Sequence, residues 1–183
     1  MKVRPLLALM AFVLVAPSAG FPATDVASYN IYMRRGLSGI QRGTVESLYS
    51  AKKDFEHIIR HEDWDAVHRS VAYHNLGVIG FMENNLDSAI KNYLSAIELN
   101  PEYSEAYFNL GGVYYKQGLL KKAEEVFLKA IELQPEYGRA HYSLGFVYLD
   151  QKKYDLARAH AEKAAEYGVP FRTLKERLAK ISR

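Results

Sequence analysis

From residue 29 onward, apolar residues recur at the three-and-four spacing of a helix, in short runs interrupted by glycine, asparagine or proline. In the middle of the chain Tyr107, Leu110, Gly111 and Tyr114 mark one helical face, and Ala123, Phe127 and Ala130 mark a second. The pattern then repeats: 70–103, 104–137 and 138–171 align without a gap, each 34 residues long. The eighth position carries Gly77, Gly111 and Gly145, and the twentieth Ala89, Ala123 and Ala157. Tyr93, Phe127 and Ala161 fall at the twenty-fourth, and Ala96, Ala130 and Ala164 at the twenty-seventh. Each unit therefore predicts two antiparallel helices, with glycine and alanine at facing positions so that the axes approach closely. Asn84 and Gly118 stand at the inner turn, where a left-handed residue ends a helix. Lys152 in the third unit predicts a strained or differently shaped turn. Pro101 and Pro135 separate the units, and Pro170 comes one residue late.

The regular units have altered neighbours on both sides. In 29–69, Gly36 and Gly43 keep the seven-residue interval of Gly111 and Gly118, and Ala51, Phe55 and Ile58 keep the second-helix spacing. We read this stretch as a degenerate first repeat, preceded by a short linker at 21–28. After Pro170, Phe171, Leu174, Leu178 and Ile181 form an apolar stripe flanked by Arg172, Lys175, Arg177 and Lys180. Residues 172–183 thus predict a capping helix, apolar inside and polar outside.

The segment SEAYFNLGGVYYKQGLLKKAEEVFLKAIELQP resembles a tetratricopeptide repeat nearly position for position. The resemblance covers 29–183, most strongly 70–165. It implies an all-α, right-handed α-α superhelix whose first helices line a concave groove, and a role in holding other proteins. It leaves the partner open, because a fold hosts many functions.

Under that resemblance the second, fifth, sixth, ninth, twelfth and thirteenth positions face the groove. They give Val71, His74, Asn75, Val78, Phe81 and Met82; Glu105, Phe108, Asn109, Gly112, Tyr115 and Lys116; and Arg139, Tyr142, Ser143, Phe146, Leu149 and Asp150. The rings either anchor a peptide or amphipathic helix or pack on the neighbouring repeat; for Phe81 and Phe146 both remain open. Asn75 and Asn109 lie one repeat apart, as two rungs of an amide ladder able to hold a peptide backbone. Similar ladders in the family bind peptides that way. The expected groove residues are His74, Asn75, Phe108, Asn109, Tyr115, Arg139, Tyr142 and Phe146. The family's chaperone-binding branch has a carboxylate clamp. At its equivalent positions stand His74, Val78, Asn109, Arg139 and Ser143, of which two match in type, so such a clamp is rejected.

The first twenty residues read differently. Lys2 and Arg4 precede the unbroken apolar run Leu6 to Val15, followed by Ala16, Ser18, Ala19 and Gly20. Charge, a short apolar centre and small residues describe a secretory signal peptide over 1–20, cut after Ser18 or Gly20. The rivals are a retained interfacial anchor and a buried helix, and the run is about half of the roughly 20 residues that span a bilayer. Removal predicts an exported protein starting near Phe21, periplasmic if the source is Gram-negative and otherwise secreted, without stable membrane insertion.

Charge then looks different. The formal net charge of +3 over 183 residues suggests a nucleic-acid or membrane partner. Without Lys2 and Arg4, 22 basic and 21 acidic residues remain; 172–183 hold five basic and one acidic, leaving 21–171 with 17 and 20. A slightly acidic array with a basic cap takes nucleic acid out of consideration. There is no cysteine, hence no disulfide, thiolate metal site or cysteine nucleophile.

His57, His61 and His68 lie near Glu62, Asp63 and Asp65, a spacing that can hold a metal. No HExxH occurs and the cluster falls between units, so no metal is expected. With no phosphate loop, nucleophile elbow or dinucleotide fingerprint, the chain is read as non-enzymatic and without cofactors. The expected function is a scaffold or adaptor gripping a protein or peptide partner in its groove. The alternatives are a self-assembling homo-oligomeric module and an accessory subunit of an envelope complex.

Overall fold

The computed structural model describes residues 23–61, 64–170 and 172–181. The leader expected at 1–20 lies outside them, as does Phe171. The described residues form nine helices: α1 Ala23–Arg42, α2 Val45–Arg60, α3 Ala66–Met82, α4 Leu86–Leu99, α5 Ser104–Lys116, α6 Leu120–Leu133, α7 Gly138–Asp150, α8 Tyr154–Glu166 and α9 Arg172–Ile181. None is long and apolar enough to cross a membrane.

Four successive helix pairs and a final helix make one stack. Within each pair the helices pack extensively, and each second helix packs on the first helix of the next pair. Neighbouring first helices α1, α3, α5 and α7 also approach one another, as α7 approaches α9, whereas among the described residues the backbones of neighbouring second helices do not. Such a stack bends toward its first helices, which form the inner wall. The fold is an all-α superhelix.

Helix ends are set locally. Thr44 caps α2 through the Ser47 N–H, and Ser47 accepts from the Thr44 N–H in return, a reciprocal capping box. Asp65 accepts from the His68 N–H at 2.8 Å to start α3. The inner turns share one geometry: Asn84, Gly118 and Lys152 have φ of 59°, 74° and 63°. The N–H groups of Asn85, Leu119 and Lys153 reach back to the carbonyls of Gly80, Tyr114 and Tyr148. Of the two outcomes open for Lys152, the turn keeps its shape and a lysine sits in left-handed backbone.

The core corrects the expected glycine–alanine contact. A Cβ on Gly36, Gly77 or Gly111 would lie 2.5, 2.6 or 2.6 Å from the ring of Phe55, Tyr93 or Phe127. The eighth-position glycine therefore makes room for the twenty-fourth-position ring, and the match at Gly36 and Phe55 puts the first pair in the same phase. Small facing small occurs at Gly39 against Ala51 and at Gly80 against the Ala89 backbone. In the third unit the ring is replaced by Ala161, and Leu174 of α9 fills the space, 2.6 Å from a Cβ on Gly145. Leu174 and Leu178 are buried, so α9 completes the last unit's core.

The first pair departs from the sequence expectation at its start. Helix α1 begins at Ala23, inside the stretch read as a linker, because nothing in 23–28 is a glycine or proline that would stop a helix. Its apolar residues Tyr29, Met33 and Ile40 join one core cluster with Val71 and Val78 of α3. The histidines between units turn to aromatic partners: His57 lies 4.1 Å from the Tyr32 ring centroid, His61 stacks on Trp64 at 4.5 Å, and His68 Nδ1 is 2.7 Å from Asp65.

Candidate functional site

The inner wall is formed by the outward residues of α3, α5 and α7, but the repeat phase overstates how much of it is open. Val71, His74, Asn75 and Val78 are buried, since α1 lies alongside α3 and α5 lies on its other side. Asn75 spends its amide on the Val71 carbonyl, with Nδ2 donating at 2.8 Å. Asn109 donates to His74 Nε2 at 2.7 Å, which ties α5 to α3. The two-rung amide ladder is therefore absent: one amide is buried and the other is half-buried against a histidine. Burial holds His74 well below its ordinary pKa, at about 4, so the ring is neutral and its Nε2 can accept.

The fifth position also behaves differently from expectation. His74 lies 5.7 Å from the Tyr93 ring and 5.0 Å from Tyr103, and Phe108 lies 5.8 Å from Phe127 and 5.0 Å from Tyr137. These side chains wedge between adjacent helices, His74 buried and Phe108 half-buried. Leu149, expected on the wall, is buried.

What remains accessible lies on α5, α7 and the end of α3. Phe81 is exposed, and Tyr115, Tyr142, Ser143 and Phe146 are half-buried. Each inner-wall phenylalanine carries a cation from the next inner helix. Lys116 lies over Phe81 at 4.7 Å, Arg139 over Phe108 at 4.7 Å and Arg177 over Phe146 at 5.4 Å. Lys116 Nζ also donates to Asn84 Oδ1 at 2.8 Å. Glu105, half-buried beside Arg139, has its carboxyl pKa raised by burial, with the guanidinium opposing. Tyr142 meets the Phe146 ring edge-on at 5.0 Å. Tyr115 donates to Asp150 at 2.5 Å and its hydroxyl is pushed up to about 12, first by burial and then by that bond. Midway along α5, Gly112 is the open point: a Cβ there would meet nothing within 4 Å.

Arg177 is the wall residue that sequence reading misses. The cap pattern puts it among the polar residues flanking the apolar stripe, whereas in the fold it bonds Asp150 at 3.0 Å and covers Phe146. Helix α9 is out of the 34-residue phase, so no repeat position points to it.

Family models match three stretches. A TPR repeat model covers 77–118, and tetratricopeptide repeat models cover 104–137 and 126–159. Residues 77–159 are tetratricopeptide repeats. Among solved structures, the crystal structure of MamA is 28% identical over 79% of this chain and 80% of that one, with a TM-score of 0.65. A tetratricopeptide repeat protein from Parabacteroides merdae is 23% identical over 85% of this chain and 60% of that one, with a TM-score of 0.72. The first TPR of Spaghetti, solved bound to an HSP90 peptide, is 21% identical over 63% of this chain and 92% of that one, at 0.60. The last two are likenesses of fold alone. No curated protein matches the sequence. In repeat terms, the accessible wall is the inner face of the second and third regular repeats, closed at one end by α9.

Proposed function

We propose that the protein is an exported, non-catalytic scaffold that holds a partner protein or peptide against the inner wall of its second and third regular repeats. The observation that carries this reading is the space at Gly112. At the other helical glycines, from Gly36 to Gly145, a Cβ would meet a neighbour at 3.0 Å or less, so packing demands them. Packing does not demand Gly112. It leaves bare backbone on α5, one helical turn from Asn109 and from Tyr115, where a partner's chain can approach closely. Half-buried aromatics around a gap suit an anchored segment. Export is supported by the leader pattern of Lys2, Arg4 and the apolar run to Val15.

The test fills the gap. Gly112→Leu adds a side chain into open space without touching the core, so the variant folds but loses the partner in affinity capture from the envelope extract of the source organism. Asn109→Ala and Tyr142→Ala weaken capture as well. N-terminal sequencing of the natural protein is expected to start near Phe21; a start at Met1 removes export from the account.

A further inference from the structure

We infer that the wall between α7 and α9 is a guanidinium subsite, filled here by Arg177 of the chain itself, and that an arginine side chain of a partner segment takes its place. The subsite is assembled from three helices. Asp150 Oδ2 accepts from the Tyr115 hydroxyl of α5, and Oδ1 accepts from Arg177 Nη2 of α9. The ring of Phe146 lies under the guanidinium at 5.4 Å, and Tyr142 braces that ring edge-on. A carboxylate fixed by a tyrosine beside an aromatic face matches a flat, delocalised, weakly hydrated cation better than an ammonium. The other two cation-covered rings, Phe81 and Phe108, hold their cations differently: Lys116 bonds the Asn84 amide oxygen, and Arg139 has Glu105 beside it as a charge neighbour without a direct ion pair among the described residues. The thirteenth repeat position holds Met82 and Lys116 in the other units, so the repeat fold does not require an acid at Asp150.

Arg177 can leave this subsite without unseating α9. The helix is anchored by Leu174 and Leu178, at 0% and 5% exposure, so its seating does not rest on the Arg177 head group. The Arg177 and Asp150 side chains are 48% and 31% exposed, and so accessible an ion pair holds weakly. A partner's arginine finds the acid and the ring already positioned and has only to displace a tethered side chain. That partner rests on the groove reading above; the subsite itself can be tested without it.

The test uses the full chain and blocked Gly-Arg-Gly, Gly-Lys-Gly and Gly-Glu-Gly tripeptides, read by NMR at the side chains of Tyr115, Tyr142 and Phe146. In Arg177→Ala the arginine tripeptide gives saturable shifts with a Kd about tenfold or more below that of the wild type. The lysine tripeptide binds more weakly, the glutamate one gives no saturation, and adding Asp150→Asn abolishes binding. Arg177→Gln, which keeps most of the stem, gives the same ranking if Arg177→Ala fails to fold. Equal responses in wild type and variant, indifference to Asp150→Asn, or preference for glutamate overturns the inference. Failure of the tripeptide with partner capture still lost in Gly112→Leu removes this inference alone. Tripeptide binding with capture unaffected by Gly112→Leu removes the groove reading and leaves the subsite.

Discussion

A methyl group added at Gly111 would come within 2.6 Å of the Phe127 ring, whereas one added at its neighbour Gly112 meets nothing within 4 Å. Gly111→Ala should therefore cost about 1–3 kcal/mol through overpacking. Gly112→Ala should gain about 0.5–1 kcal/mol by removing glycine's unfolded-state freedom from a helix. Denaturant titration of the two variants reads opposite signs; shifts in the same direction contradict the assigned packing. Lys152 gives a second residue-scale expectation. Its φ of 63° matches the 74° of Gly118, and left-handed backbone costs an ordinary residue about 1–2 kcal/mol. Lys152→Gly should raise stability by about 1 kcal/mol net, and an unchanged or lowered midpoint counts against the strain. The strain at Lys152 is legible in the sequence because the period aligns it with Gly118. The ring opposite Gly111 is not so simply read. Phase places both residues on facing helices, but contact depends on how far the axes tilt.

Two histidines tie helices together. His74 links α3 to α5 through Asn109, and His160 of α8 faces His141 of α7 with their Nδ1 atoms 3.0 Å apart. Burial depresses both His74 and His160 to about 4, the charge of His141 adding to the effect at His160. A base held below its unfolded pKa is neutral in the fold, so the unfolded chain binds more protons between the two values. Stability from these residues is complete above about pH 6.5 and is lost as pH falls toward 4, by up to about 3 kcal/mol for the fully buried His74. Asp54 and Glu105, raised by burial, work in the opposite sense, so the contrast between wild type and His74→Gln isolates the histidine. Urea midpoints should fall less steeply with acid in His74→Gln; parallel profiles contradict the role given to His74. At this scale the helices of the regular repeats were readable because glycine, alanine and proline punctuate each one. The ends were not. Helix α1 starts inside the expected linker and buries Val71, Asn75 and Val78, and α9 carries Arg177 to the wall from outside the period. Periodicity states which face a residue occupies within a repeat, and it is silent on what a terminal helix lays over that face.

As a molecule, the array bends toward its first helices, fills its N-terminal inner wall with α1 and closes the other end with α9. The open wall is consequently shorter than a count of repeats suggests, and it is concentrated around Gly112, Tyr115, Tyr142 and Phe146. That confinement makes a single added side chain a decisive probe. The most direct measurement is parallel affinity capture by wild type and Gly112→Leu from the same envelope extract, with both proteins checked for equal unfolding midpoints. The account predicts a partner retained by the wild type and missing from the variant. Identical sets of retained proteins on two equally stable chains would contradict it.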